Sequence, residues 1–142
     1  METLTGANPN SRELLTEALD ETIWWSAISL IVEFLRAKNV ESVRVKFGFV
    51  LDRDLAGKEQ GRDQTLRLVE LKRFIQTGID EGTIERSGSS DFVFYAMGLD
   101  LAFMLCNDAD LHFASAEASL LGELGQILRS CGIKVYDSGR LI

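Results

Sequence analysis

Proline and histidine each occur once, as Pro9 and His112, and cysteine only twice, as Cys106 and Cys131. The two thiols stand 25 positions apart in apolar surroundings, which fits neither a zinc-binding spacing nor a disulfide framework, so both are expected as buried free thiols. No run of roughly 20 uncharged apolar residues is present; the best candidate, Asp91 to Ser115, is broken by Gly98 and Asp100, which excludes a transmembrane helix. The start, METLTGANPN, lacks a basic segment followed by an apolar one, so no secretory signal is expected and the protein is read as cytoplasmic. Basic charge is scarce: 15 Lys and Arg face 22 Asp and Glu, a net charge of −7, which argues against nonspecific attraction to nucleic acid phosphates or anionic membranes. Also missing are a glycine-rich phosphate loop, a nucleophile elbow, a paired CxxC and a zinc-binding helix motif. Internal repeats and low-complexity tracts are likewise absent.

What is present points to one α+β domain over residues 10–142, preceded by a polar, flexible arm over residues 1–9. Phe92 to Met97 and Leu101 to Cys106 are apolar at successive positions and read as central strands covered on both faces. Asn107 to Asp110 forms a polar break leading to a further strand at Leu111 to Ala114. Val43, Val45, Phe47, Phe49 and Leu51 alternate with Arg44 and Lys46, the signature of a strand with one polar face. Thr83 to Arg86 reads as a short edge strand, and Ile133 to Asp137 as the final one. The expected sheet is mixed but mostly antiparallel, with about 5 strands and three to four helices, ending in a βαβ-like unit.

Helices are expected from Asn10 or Ser11 onward, with Glu13 in a capping box and Leu14, Leu15, Ala18 and Leu19 as the stripe. The apolar pattern continues through Ile23 to Leu35; the spacing leaves open whether residues 11–38 form one helix or two. Asn39 is placed to stop it in the left-handed conformation. Residues 52–63, rich in charge and containing Gly57 and Gly61, read as a long exposed loop. Asp63 would cap a helix with Leu68, Leu71, Ile75 and Ile79 as its stripe, closed by Gly82. Ser115 would cap the last helix, whose stripe runs from Leu120 to Leu128.

Chemistry has few places to reside. In an extended DADLH segment the side chains of Asp108, Asp110 and His112 fall on one side, a carboxylate pair with an imidazole that suits a divalent metal or a general base. The same residues are also expected of a hairpin turn followed by a strand. Asp100, between two apolar runs, is a candidate buried acid. Trp24 and Trp25 project about 100° apart on a helix and cannot both face one core, so one of them is a candidate for an interface. The apolar share, 46% before the 12 glycines are counted, likewise leaves apolar surface to be shared between subunits, and a homo-oligomer is expected. Residues 81–142 hold 9 acids against 4 bases. The sequence therefore reads as a non-enzymatic acidic domain, without a cofactor, that binds a basic protein, as an inhibitor or a toxin-neutralising protein would. The alternative is a small metal-dependent enzyme or ligand-binding domain using Asp108, Asp110 and His112.

Overall fold

A computed structural model describes residues 11–47, 63–82, 84, 92–105 and 109–141. The expected arm at residues 1–9 and nearly all of the 52–63 loop lie outside them. The class is α+β: three helices and a seven-stranded sheet in the order β3-β2-β4-β5-β6-β1-β7. The strands are β1 (Arg12–Thr16), β2 (Ser42–Phe47), β3 (Asp63–Arg67), β4 (Phe92–Ala96), β5 (Ala102–Leu105), β6 (Leu111–Ser115) and β7 (Val135–Leu141). Seven strands stand where about five were expected, and every neighbouring pair among the described strands is antiparallel. Because β1 runs antiparallel to both β6 and β7, those two are parallel to each other. The βαβ-like ending is thus split by the insertion of β1.

The helices are α1 (Glu21–Ala37), α2 (Leu71–Glu81), entered through a 3-10 turn at Leu68–Glu70, and α3 (Ala118–Ser130). Asp20 caps α1 by accepting the Ile23 N–H at 2.9 Å, and Asn39, at φ 65°, ends it as its residue type favours. Gly82 closes α2 with φ 82°. Gly78 leaves room for Ile84, since a Cβ there would lie 2.5 Å from Ile84 Cδ1. Ile84 is a buried bend residue, while Thr83, Glu85 and Arg86 of the anticipated edge strand lie outside the described residues.

Two segments differ from expectation. Residues 12–16 form a strand rather than the first turns of a helix, because Arg12 to Leu15 pair along β6 and Leu14 to Thr16 along β7. The backbone partners supplied by those strands override a local apolar spacing that also fits a helix. Asp63 begins β3 instead of capping α2, its segment being held by five register pairs to β2. At the start of α3, Ser115 acts two residues ahead of the helix, accepting the Glu117 N–H at 2.9 Å, and Glu117 is the cap residue.

Helices and sheet enclose one main core. Phe92 and Phe94 of β4, Phe103 of β5 and Phe113 of β6 form an aromatic row, stacked at 4.8 Å between Phe94 and Phe103, and joined by buried side chains of all three helices. Burial of each such ring is worth about 1.5–3 kcal/mol, which makes this row a principal source of cohesion. The opposite face of the sheet carries a second cluster, Val93, Tyr95, Ala102, Met104 and Ala114, drawn among the described residues from strands alone.

Candidate functional site

The second face also holds the only histidine. His112 is 3% exposed and stands across from Met104 of β5. Its Nδ1 lies 2.7 Å from Glu13 Oε2, and its Nε2 lies 3.2 Å from Asp110 Oδ2. Glu13 is wholly buried on β1, and Asp110, the most accessible of the three, has a side chain 13% exposed. Strand pairing creates this arrangement. Register Glu13↔Ala114 sets the carboxylate diagonally beside His112, and the period of two along the chain brings Asp110 to the ring's other edge. Buried charges are ordinarily paired, and here three titratable groups form a chain of carboxylate, imidazole and carboxylate.

Asp110 and His112 are therefore brought together as their alternation implies, while Asp108 lies outside the described residues. Among the described residues no set of three His, Cys, Asp or Glu side chains has the arrangement of a metal site. Glu13 was missed by sequence reasoning: it approaches His112 only because β1 and β6, 99 residues apart at this contact, lie side by side. Nothing local in RELLT marks that acid as buried. Asp100 is half-buried rather than enclosed, and its Oδ2 accepts the Ala116 N–H at 2.8 Å, fixing the approach to α3.

Elsewhere, the two tryptophans separate as their helical positions require. Trp24 is fully buried in the main core, and its ring meets that of Trp25 edge to face with centroids 5.0 Å apart. Trp25 is half-buried and packed against the main core. Ile23, Trp25, Leu30, Glu33, Cys131 and Ile133 line a shallow open groove of about 560 Å³. Cys131 is an exposed free thiol, not a buried one, because α3 ends just before it; Cys106 lies outside the described residues. Exposed Glu17, Asp20 and Glu21 precede or open α1 at the Ile23 end of this groove. By contrast, several acids of the C-terminal part are engaged internally: Asp110 with His112, Glu123 with Lys38 at 2.9 Å, and Asp137 with Arg12 at 2.7 Å. No described helix is long and apolar enough to cross a membrane. Comparison with protein-family models, curated proteins and solved structures finds no match.

Proposed function

We propose that the protein is a non-enzymatic, cytoplasmic binding domain whose α1 groove receives an apolar anchor from a basic protein partner, in the manner of an inhibitor or a toxin-neutralising protein. The observation that carries this reading is the groove itself, with Trp25, Ile23 and Leu30 as anchors and Glu33 on its lining. An aromatic and aliphatic center with a charged border is the usual composition of a binding hot spot, and a net charge of −7 favours a basic partner over an acidic one. The exposed acids Glu17 and Glu21, before and at the start of α1, rather than the C-terminal segment, are taken as the docking charge, since Asp110, Glu123 and Asp137 of that segment are engaged internally.

The rival reading, catalysis or metal binding by Asp108, Asp110 and His112, has less support. Both ring nitrogens of His112 already face carboxylate oxygens, leaving neither edge of the ring turned toward a ligand.

The test is capture from a lysate of the source cells with the natural chain and with Leu30→Glu side by side. The expected result is a basic protein held by the natural chain, lost from the variant and released by raised salt, since screening weakens long-range attraction. A partner retained equally by both chains, or one that is acidic, refutes the reading. Sedimentation of the purified protein identifies the competing occupant: a dimer dispersed by Leu30→Glu assigns the groove to self-association, the homo-oligomer that the apolar composition calls for.

A further inference from the structure

We infer that His112 is an imidazolium clasp, charged at neutral pH, and that removing its proton at alkaline pH frees the Asp110 side of the site and loosens the entry to α1. The inference rests on the donor and acceptor chemistry of the contacts. An ionised carboxylate only accepts hydrogen bonds, and a neutral imidazole has one N–H, leaving a lone pair on its other nitrogen. With both carboxyl groups ionised, Glu13 Oε2 at 2.7 Å from Nδ1 and Asp110 Oδ2 at 3.2 Å from Nε2 are both hydrogen-bonded only if the ring carries both protons. In either neutral tautomer one lone pair would point at a carboxylate oxygen in an interior that includes apolar Met104 and Ala114. Unpaired charge is costly in such surroundings, so the fold favours the cation.

The charged groups that face the ring include Glu13, from β1, and Asp110, from the turn before β6; Met104, across from it on β5, carries no charge. The sign follows. A histidine whose proton is held more tightly in the folded chain stabilises the fold fully below the ordinary value of about 6.5, and this contribution disappears as pH rises through the higher folded value. When the proton leaves to water, one N–H remains for two carboxylates. The Glu13 contact is shorter and wholly buried, whereas Asp110 has the longer contact and lies nearer water, so the Asp110 contact is the one released. Its neighbour Ala109, held at φ 63°, accepts the Leu19 N–H at 3.0 Å, directly before α1. Release at Asp110 therefore reaches the segment that leads into α1.

Having a single histidine makes the measurement unambiguous. In the natural protein with isotope-labelled histidine, side-chain resonances are followed from about pH 5 to about pH 10. Expected is a doubly protonated ring at neutral pH and a titration midpoint clearly above the ordinary value of about 6.5. A neutral single-tautomer ring at pH 7, or a midpoint near 6.5, overturns the inference, because a histidine that merely fills space or bridges as a neutral group behaves in that way. Asp110→Asn should lower the midpoint; an unchanged midpoint rejects Asp110 as part of the clasp. Amide exchange at Leu19, corrected for its intrinsic base catalysis, should lose protection as the imidazole titrates, and constant protection through the midpoint refutes the release.

Discussion

On one face of the sheet, Phe92, Phe94, Phe103 and Phe113 lie beneath three helices; on the other, the buried positions include a carboxylate and an imidazole beside Val93, Ala102 and Met104. Both faces bury side chains at their centres, but they depend on different physics. The aromatic face gains from area removed from water and from close packing, neither of which depends on pH. The other face must keep its charges matched, because a buried ion whose counterpart is removed costs far more than the pair contributes. A deletion on the first face leaves a hole, and a deletion on the second leaves a charge.

The largest expected effect tests the first face. Phe103→Ala removes a fully buried ring between Phe94 and Phe113 and should cost about 4 kcal/mol, read from the midpoint of urea unfolding. His112→Gln should cost nearly as much, about 3 kcal/mol, although it removes far less apolar area, because Glu13 loses its imidazole partner while remaining wholly buried. A loss under about 1 kcal/mol, the figure that suits a histidine merely supporting a strand, would remove the distinction between the faces. The sharper form replaces the whole set: Glu13→Leu, Asp110→Ala and His112→Leu together should recover to within about 1 kcal/mol of the natural chain, since apolar substitutes no longer strand a charge. Phe103→Ala has no comparable rescue by polar changes.

Smaller effects follow. Gly78→Ala should cost about 1–2 kcal/mol, because its Cβ would press on Ile84 Cδ1 at 2.5 Å, and Ile84→Val should return part of that loss. The smallest is expected for Arg44→Ala. Its guanidinium lies 4.8 Å from the Tyr95 ring centroid on the second face, but Arg44 is exposed, so thermal unfolding should register about 0.5 kcal/mol.

The same division governs how far the sequence could be read. Strands β4, β5 and β6 were legible because their runs of apolar residues state burial directly, and α1 was legible from Ile23 onward because its stripe repeats at helical spacing. β1 was not. Leu14, Leu15, Ala18 and Leu19 fit a helix equally well, and the choice was made by β6 and β7, about a hundred residues later. Edge strand β3, DQTLR, has too little alternation to stand out and owes its existence to β2. Within the site, the period of two placed Asp110 beside His112 correctly. Glu13 remained hidden because its partner arrives through tertiary pairing, which no local pattern records. Nor could adjacency alone decide that Trp24 enters the core while Trp25 lines the groove.

The position of β1 between β6 and β7 has a kinetic consequence. Arg12 meets Asp137 across a separation of 125 residues, so during synthesis β1 is among the early described segments to be made and its slot does not exist until β6 and β7 have followed. Until then its apolar Leu14 and its acidic Glu13 have no destination, and the nascent chain carries an unpaired strand. Contacts of such long range slow folding and prolong the period in which a strand edge is open to wrong partners. An acidic residue such as Glu13 on an unpaired strand discourages pairing with other chains until its place beside β6 is formed.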